Sequence, residues 1–261
     1  MTQSLARDAW MAACQFHALS DSIVLKEILD RVKGHESRPA VLLDLDSTLY
    51  EVRPRTFRIL QEWSDSEHSS RFPVARASIK KMTESEVGYS VRDTFTTLGL
   101  DLKDSLAHAA WESAKQFWSK RFFTDAYLQY DRPYPGAALF AQELHRHGAE
   151  VVYLTGRDSP NMEKGTIANF VRDGFPWRKE RVHLLLKPST SIIDLDHKMN
   201  AVQFVQAKGQ LVASFENEPL NIVALYRAFP DAMHVFMDTV CSDHAAEPLQ
   251  GLYRIRGFGS P

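Results

Sequence analysis

The sequence predicts a doubly wound, Rossmann-like α/β fold, in which a parallel sheet has helices on both faces and carries a mostly helical insertion. Three observations support this prediction: short apolar runs, helix-length amphipathic segments between the later runs, and a long aromatic-rich segment after the first run. Short continuous apolar runs are typical of strands that are buried on both faces of a sheet. The runs span residues 40–43, 151–154, 182–186, 211–215 and 234–237.

Helices are predicted between the later strands from their start and stop signals. Pro135 and Gly136 open an amphipathic pattern that ends at Gly148, and a proline at the start with a glycine at the end is typical of a helix. Comparable patterns begin after Pro160, near Asp196 and at Pro219. This alternation of strand and helix indicates a parallel sheet.

Two segments lie outside the alternation. Residues 1–37 are predicted to form an N-terminal helical extension. Residues 52–128 are predicted to form a helical cap, and the helical spacing of apolar residues is clearest in residues 105–122. The α/β core then comprises residues 38–51 and 129–261. We expect most aromatic side chains of the cap to form its own hydrophobic core.

The composition is that of an ordinary globular protein. The 261 residues are 44% hydrophobic and 25% charged, which is enough apolar material for a sizeable core. The 31 basic and 33 acidic residues give a net charge of −2, which disfavours a nucleic-acid partner. Two distant cysteines, Cys14 and Cys241, favour a reducing, cytoplasmic environment. No apolar stretch approaches the ~18 residues of a membrane span, and no signal peptide is evident, so we expect no membrane association.

Polar side chains follow the predicted strands where each strand ends. The carboxyl ends of parallel strands lie at one edge of a sheet, and ligands bind there in open α/β folds. The residues in question are Asp44, Asp46 and Thr48 after the first strand, Thr155 and Gly156 after the second, Lys187 after the third, Lys198 in the next helix, and Glu216, Asn217 and Glu218 after the fourth strand. Acids, hydroxyls and lysines are therefore expected to meet at one site.

The chemistry of these groups points to phosphoryl transfer. Clustered carboxylates repel one another, so we expect a bound Mg²⁺, a cation that prefers oxygen ligands. With the metal present, one aspartate could attack phosphorus and form an aspartyl-phosphate, which divides a difficult hydrolysis into two easier steps. A carboxyl two residues further on could protonate the leaving oxygen and later deprotonate a water. A threonine hydroxyl and a lysine ammonium would match the charge of the transferring oxygens.

These residues resemble the motifs of the haloacid dehalogenase-like (HAD) phosphohydrolase superfamily. The resemblance covers residues 38–50 and 130–238, and the helical insertion falls where the superfamily places its first type of cap. The motifs are an apolar strand followed by Asp44-x-Asp46-x-Thr48, then Leu154-Thr155-Gly156-Arg157, then Lys198 ahead of an amphipathic helix and the strand that ends at Glu216.

The resemblance implies a Mg²⁺-dependent phosphohydrolase that acts through an aspartyl-phosphate. Asp44 would be the nucleophile and Asp46 the general acid and base. Thr155 and Lys198 would hold the phosphoryl oxygens, with Gly156 beside them. The aspartate at position 46 favours phosphoryl transfer over dehalogenation, because a dehalogenase has no leaving oxygen to protonate.

The assignment of the lysine has an alternative. Lys198 precedes Glu216 by a distance that suits one helix and one strand, which favours it as the family lysine. Lys187 ends a predicted strand and could also reach a phosphate. Both lysines are therefore candidate phosphate-binding residues.

The fourth motif departs from the superfamily, which usually has aspartates at this place. Here the strand is followed by Glu216-Asn217-Glu218. The resemblance implies that Glu216 completes a metal site with Asp44 and the Asp46 carbonyl, and Asn217 can offer an amide oxygen. Glu218 is the alternative ligand, or it favours the N-terminus of the next helix.

The expected substrate is a small phosphorylated metabolite, and two other functions stay open. The altered fourth motif suggests a weak or inactive binding or regulatory protein that keeps the fold. A phosphatase for nucleic-acid ends would need local basic clusters, since the net charge is near zero. Such clusters exist at Arg53, Arg55 and Arg58 and at Arg178, Lys179 and Arg181.

Overall fold

The computed structural model describes residues 4–259. Within this range the strands are β1 (Gln15–Phe16), β2 (Pro39–Leu43), β3 (Tyr50–Glu51), β4 (Arg132–Pro133), β5 (Glu150–Asp158), β6 (Val182–Lys187), β7 (Gln210–Glu216), β8 (Met233–Met237) and β9 (Gln250–Ile255). The α-helices are α1 (Arg7–Ala13), α2 (Asp21–Lys33), α3 (Arg53–Asp65), α4 (Pro73–Lys81), α5 (Val91–Thr97), α6 (Ser105–Phe122), α7 (Asp125–Leu128), α8 (Ala137–Arg146), α9 (Ser159–Asp173), α10 (Asp194–Lys208) and α11 (Pro219–Ala228). None of the helices described is long and apolar enough to cross a membrane.

Seven strands form one sheet in the order β1-β9-β8-β7-β2-β5-β6, and neighbouring strands pair in parallel. All five predicted strands are present, as β2, β5, β6, β7 and β8, which confirms the predicted fold class. The sheet also contains β1 and β9, which the sequence did not predict. β1 has only two residues, and β9 has only two adjacent apolar residues, Leu252 and Tyr253, before Arg254, so neither contains an apolar run as long as those of the predicted strands.

Helices cover both faces of the sheet. Alternate residues of β2 show this most clearly, since Val41 and Leu43 belong to one hydrophobic cluster and Ala40 and Leu42 to another. The first cluster includes apolar residues of α2 and α8, and the second includes apolar residues of α10 and α11. Each buried valine or leucine side chain of β2 contributes roughly 1.5–3 kcal/mol through the hydrophobic effect. The carboxyl edge of the sheet is thereby held rigidly between two helical layers.

The predicted N-terminal helical extension, residues 1–37, of which residues 1–3 lie outside the described range, contains the helices α1 and α2 and also contributes the edge strand β1 to the sheet. β1 pairs with β9. In α1, the fully buried Trp10 packs edge-on against Phe236 of β8 at 5.0 Å and donates Nε1–H to the Glu247 carbonyl at 2.8 Å. The partners of this region lie near the C-terminus of the chain, so no local sequence pattern could predict them.

The chain forms two compact units. Within the described residues, one unit comprises 4–50, 133–160 and 170–259, and the other comprises 51–132 and 161–169. The second unit contains residues 52–128, for which a cap role stays a prediction, and has its own core, which includes Ile59, Trp63, Phe95, Ala114 and Phe117. Residues 161–169, which were predicted to belong to the α/β core, pack instead with the second unit.

Candidate active site

The predicted site residues lie on neighbouring strands at the carboxyl edge of the sheet. Asp44 directly follows the central strand β2, Glu216 ends β7 on one side of it, and Thr155 lies in β5 on the other side. All three are buried, with Asp44 7%, Thr155 1% and Glu216 1% exposed. Parallel pairing of the three strands is therefore what brings the first, second and fourth motifs together.

The loop after β2 makes a tight turn that places its polar side chains. Asp44 donates its backbone N–H to the Phe215 carbonyl at 3.1 Å, so it continues the pairing with β7. Ser47 adopts a left-handed conformation with φ of 62°, which is uncommon for a residue other than glycine. The Thr239 hydroxyl donates to the Ser47 carbonyl at 2.5 Å and supports this strained position.

Lys198 lies between the two buried carboxylates. Its Nζ is 2.8 Å from Asp44 Oδ1 and 2.5 Å from Glu216 Oε2, and the lysine is only 2% exposed. Burial alone would lower the pKa of Lys198, but its attraction to Asp44 and Glu216 holds the pKa well above the usual range. The lysine is therefore a fixed cation at the centre of the site.

The same contacts shape the titration of the two acids. Burial raises the pKa of Asp44 to about 6, although the Lys198 ammonium opposes the rise. Burial and the nearby Asp44 raise the pKa of Glu216 to about 8, again against the effect of Lys198. Asp44 uses only Oδ1 for the lysine, and among residues 4–259 none donates a hydrogen bond to Oδ2. One oxygen of a buried carboxylate is thus left for a ligand.

The structure separates the two candidate lysines. Lys187 ends β6 and is half-buried, and its side chain makes no ion pair or hydrogen bond with the residues described. Lys198 contacts both Asp44 and Glu216. The geometry therefore favours Lys198 as the phosphate-binding lysine, and this role stays a prediction.

The three residues of the fourth motif, Glu216, Asn217 and Glu218, make different contacts. Glu216 reaches Lys198 with Oε2, while its Oε1 accepts the backbone N–H groups of Asn217 and Glu218 at 3.1 and 3.0 Å. The Asn217 amide accepts the Thr48 hydroxyl at 3.2 Å and donates to a backbone carbonyl, so it ties two loops together. Glu218 points to a different partner, because its carboxylate accepts both N–H and O–H from Ser242. Of the two glutamates, only Glu216 faces Asp44.

The second motif forms the carboxyl end of β5. Thr155 accepts the backbone N–H of Arg157 at 3.3 Å. The Arg157 guanidinium, whose side chain is fully buried, contacts the carboxylate of Asp46, the predicted acid and base. Gly156 lies close to Asp194 instead, since a Cβ atom at this position would be 2.4 Å from Asp194 Oδ1. The sequence motifs predict no role for Arg157, although a residue two positions after Thr155 in a strand shares its face.

Asp194, at the start of α10, is a further member of the site, and the sequence motifs predict no role for it. Its Oδ2 accepts the Asn221 amide at 2.8 Å and lies 3.6 Å from Lys198 Nζ, while Oδ1 is buried without a hydrogen bond in the part of the chain described. Burial opposes ionisation, but Lys198 and Asn221 outweigh it and lower the pKa of Asp194. The signal was present in the sequence, because residues 194 and 198 are one helical turn apart.

The donor set fits Mg²⁺ in its chemistry. Across residues 4–259, no three His, Cys, Asp or Glu side chains come together as a metal site. The candidate donors are instead the two carboxylates of Asp44 and Glu216, the backbone carbonyl of Asp46 and the Asn217 amide. Mg²⁺ is commonly held by one or two carboxylates and keeps several waters, so these oxygens with the unbonded Asp44 Oδ2 are compatible with it.

All three arginines of the first basic cluster are paired with acidic side chains. Arg53 pairs with Glu51, Arg58 with Glu62, and Arg55 is fully buried in a two-pronged pair with Asp131 at 2.6 and 2.7 Å. These arginines belong to the second unit and stabilise it. The cluster therefore offers little positive surface to a nucleic-acid backbone.

Sequence comparison shows the family. Residues 39–178 match the haloacid dehalogenase-like hydrolases, and this range is more than half of the 261 residues. The chain therefore belongs to the haloacid dehalogenase-like hydrolase family, which confirms the resemblance seen in its motifs. None of the curated proteins compared with it matches the sequence.

The same fold is found in solved structures. A provisionally assigned phosphatase from Clostridium difficile aligns with a TM-score of 0.53 at 13% identity, covering 85% of this chain and 96% of that protein. A provisionally assigned haloacid dehalogenase-like hydrolase from Bacteroides fragilis aligns with a TM-score of 0.50 at 14% identity, covering 85% and 98%. At these identities the likeness concerns the fold alone.

Proposed function

We propose that this hydrolase is a Mg²⁺-dependent phosphomonoester phosphatase that acts through an aspartyl-phosphate on a small phosphorylated metabolite. One observation carries the proposal. Asp44 is a buried carboxylate at the carboxyl edge of the sheet, held at Oδ1 by Lys198, and its Oδ2 accepts no hydrogen bond from the residues described. A fixed carboxylate with one available oxygen beside a fixed cation is suited to attack on a phosphoryl group.

In the first step, Asp44 Oδ2 attacks phosphorus. The bond from Oδ2 to phosphorus forms while the bond from phosphorus to the leaving oxygen breaks, and Asp46 gives its proton to the leaving oxygen. Lys198 of α10 contacts Asp44, and Thr155 lies on β5, the strand next to β2, so both side chains would bind the phosphoryl oxygens. Their positive charge and hydrogen bonds oppose the negative charge that builds up in the transition state.

In the second step, the aspartyl-phosphate is hydrolysed. Asp46, now ionised, removes a proton from water, whose oxygen forms a bond to phosphorus as the bond to Asp44 Oδ2 breaks. The free carboxylate and inorganic phosphate result. Asp46 suits both roles because it is partly exposed, with 30% of its side chain accessible, so it can exchange protons with water.

Asp44, Glu216 and the Asp46 carbonyl would hold the metal, with Asn217 as a further donor. When bound, Mg²⁺ would neutralise the buried carboxylates and draw charge from the transferring phosphoryl group. The donors come from the loop after β2 and from the end of β7, which are neighbours in the sheet.

The second unit supports the choice of a small substrate. A helical unit inserted directly after the nucleophile strand is suited to exclude water and select the leaving group. The arginines of its first basic cluster are paired within the unit, which speaks against long nucleic-acid substrates.

The two cysteines, Cys14 and Cys241, are unpaired, as expected of a cytoplasmic protein.

The test is phosphate release from 4-nitrophenyl phosphate and from a panel of phosphorylated sugars, acids and nucleotides. Each substrate is assayed with Mg²⁺ and with chelator. Asp44→Asn removes the nucleophile and should abolish release, while Asp196→Asn is a matched control, since the Asp196 side chain is exposed and makes no hydrogen bond or ion pair within residues 4–259. We also expect the phosphorylated enzyme to be detectable by mass spectrometry after acid quenching of the wild type only.

Two outcomes would contradict the proposal. Undiminished release by Asp44→Asn would rule out the aspartyl-phosphate, and release that is unaffected by chelator would rule out the metal. No release from any substrate by a folded protein, together with clear Mg²⁺ binding in a calorimetric titration, would instead favour a binding or regulatory protein.

A further inference from the structure

Ser47 has a left-handed backbone conformation in the turn that follows β2. Its φ is 62°, and the residue is only 4% exposed. A residue with a Cβ atom adopts this conformation at an energetic cost, whereas glycine adopts it freely. Ser47 donates its N–H to the Tyr50 carbonyl at 2.7 Å, within the turn. Its carbonyl has no partner among the turn residues 45–50, so the hydrogen bond that it accepts comes from elsewhere in the fold.

The partner of the Ser47 carbonyl is the Thr239 hydroxyl, which donates to it at 2.5 Å. Thr239 lies two residues after the end of β8, and its own backbone is fixed by two hydrogen bonds. Its N–H donates to the Met237 carbonyl at 2.8 Å, and its carbonyl accepts the Arg7 guanidinium at 3.2 Å. A hydroxyl on a fixed backbone can hold its acceptor in place with little further loss of conformational freedom.

A second chain of hydrogen bonds joins the same two segments. The Val240 carbonyl accepts the Asn217 amide at 2.7 Å, and the oxygen of that amide accepts the Thr48 hydroxyl at 3.2 Å. Asn217 and Thr48 are both buried. The segment after β8 therefore fixes two consecutive residues of the turn, Ser47 directly and Thr48 through Asn217.

Asp46 immediately precedes Ser47, so the conformation of Ser47 determines how Asp46 is oriented relative to the rest of the turn. A return of φ to an ordinary negative value would rotate the chain at Ser47, and Asp46 would move relative to residues 48–50. Catalytic groups tolerate shifts of only about 0.5 Å, and a misplacement of about 1 Å costs about 10²-fold in rate. A hydroxyl that stabilises this φ therefore affects catalysis without touching the reacting atoms.

We propose that Thr239 is a positioning residue, whose hydroxyl keeps Ser47 in the left-handed conformation and thereby fixes Asp46 relative to Asp44. The inference rests on the proposed function. Thr239 forms no bond to phosphorus and transfers no proton, and it acts only through the turn. No local sequence pattern marks it, because Thr239 and Ser47 are 192 positions apart.

Turnover measurements test the role of the hydroxyl. The substrate is glycerol 2-phosphate with Mg²⁺, because its alkoxide leaving group needs the acid as well as the base. Thr239→Val keeps the shape of the side chain but removes the donor, and we expect kcat to fall about 10²-fold. KM should change less than about 3-fold, because the proposed phosphoryl-binding residues Thr155 and Lys198 lie outside the turn. Thr239→Ser keeps the hydroxyl, so its kcat should stay within about 3-fold of the wild type.

Ser47→Gly tests whether Thr239 acts through the turn. Glycine adopts a positive φ freely, so this variant should need no support from Thr239. In the Ser47→Gly background, Thr239→Val should lower kcat less than about 3-fold. Hydrogen exchange of residues 45–50 gives a readout that is independent of turnover. The exchange should become faster in Thr239→Val and return towards the wild-type rate in the double variant.

Thr94→Val is the matched control for the loss of a hydroxyl. Thr94 is fully buried in α5 of the second unit, and its hydroxyl donates to the Ser90 carbonyl at 3.0 Å. Its replacement should lower the melting temperature but change kcat less than about 3-fold. If Thr239→Val does not fold, Thr239→Cys gives the same comparison in both backgrounds, because a thiol is a weaker donor than a hydroxyl.

The inference would be overturned if folded Thr239→Val kept the wild-type kcat, or if Thr239→Ser lost as much activity as Thr239→Val. Equal losses from Thr239→Val in the wild-type and Ser47→Gly backgrounds would also overturn it, and so would an equal loss of kcat in Thr94→Val. The proposed function fails on a different result, namely undiminished phosphate release by Asp44→Asn.

Discussion

At the scale of single residues, the site depends on one cation shared between two acids. Lys198 contacts Asp44 and Glu216 and lies near Asp194, so three carboxyl groups surround a single buried ammonium. Buried charges of this kind are stable only when each has a partner, because removal from water costs several kcal/mol per ion. The lysine is therefore expected to hold the site together as well as to bind phosphate.

We predict that Lys198→Met destabilises the protein by about 3 kcal/mol, since it leaves buried carboxylates without a counter-charge, and that it lowers phosphatase activity at least ~100-fold. Lys187→Met is the matched control. The Lys187 side chain has no hydrogen bond or ion pair in the described chain, so its replacement should change stability by less than about 0.5 kcal/mol. Urea unfolding and turnover measurements on both variants test this prediction. Equal losses of stability and activity at the two positions would contradict the assignment of Lys198 as the phosphate-binding lysine.

At the scale of elements, α8 begins at a glycine that no other residue can replace without strain. Gly136 precedes the helix with a φ of 84°, and a Cβ atom there would lie 1.8 Å from the Phe258 carbonyl oxygen. A residue with a Cβ atom would therefore be strained in this left-handed backbone conformation, and its Cβ atom would also displace the segment after β9. The start of a helix and the end of the described chain are in this way packed against each other.

We predict that Gly136→Ala destabilises the protein by at least about 2 kcal/mol more than Gly148→Ala. Gly148 follows the same helix with a φ of 93° but has open space around it, so alanine there should cost only the left-handed conformation, about 1–2 kcal/mol. The comparison is made by thermal unfolding under identical conditions. Similar melting temperatures for the two variants would show that the segment near Phe258 can move aside freely.

The longest helix of the second unit depends on its N-terminal cap. The Asp104 carboxylate accepts the backbone N–H groups of Leu106 and Ala107 at 3.0 and 2.9 Å. Asp104→Ala removes both acceptors and should destabilise the second unit by about 1 kcal/mol, whereas Asp104→Asn keeps a side-chain oxygen and should cost less than half of that. Thermal melts followed by circular dichroism test this prediction. We expect the melting temperature to fall in the order wild type, Asp104→Asn, Asp104→Ala.

At the scale of the whole molecule, the sheet contains a histidine that resists protonation. His234 lies in β8 and is 1% exposed, with Nδ1 2.7 Å from the Ser214 hydroxyl and Nε2 2.9 Å from the Phe229 carbonyl. A carbonyl only accepts, so Nε2 donates to it and Nδ1 accepts from Ser214. Burial lowers the pKa of His234 below its ordinary value of 6.5.

The lowered pKa predicts acid sensitivity. Below pH 6.5 the unfolded chain binds a proton at His234 that the folded protein does not, so stability falls as the pH drops from 6.5 towards the folded-state pKa. The slope for this residue is at most about 1.4 kcal/mol per pH unit. Urea unfolding at pH 7.5, 6.5 and 5.5 should show the loss, and His234→Gln should reduce it. An unchanged slope in the variant would assign the acid sensitivity to other groups, of which His197, whose pKa is also lowered by burial, is the next candidate.

Much of the core architecture could be predicted because its signals are local. The strands at 40–43 and 211–215 are apolar runs because both faces of a central strand are covered by helices. β9 has no such run, since it begins with Gln250 and Gly251 and Arg254 separates Tyr253 from Ile255, and its place in the sheet depends on pairing with β8 and β1. Residues 161–169 read as an ordinary core helix, and only packing assigns them to the second unit.

The sequence by itself determined the fold class, the order of the motifs and the chemical groups at the edge of the sheet, because each depends on residue types within a few positions of one another. Only the tertiary structure decided that Lys198 rather than Lys187 meets Asp44, that Glu216 rather than Glu218 meets Lys198, and that Arg157 pairs with Asp46. The partners in the first and third of these contacts are 154 and 111 positions apart. Which distant side chains meet depends on strand order and on how the helices pack over the sheet, and no local pattern specifies either.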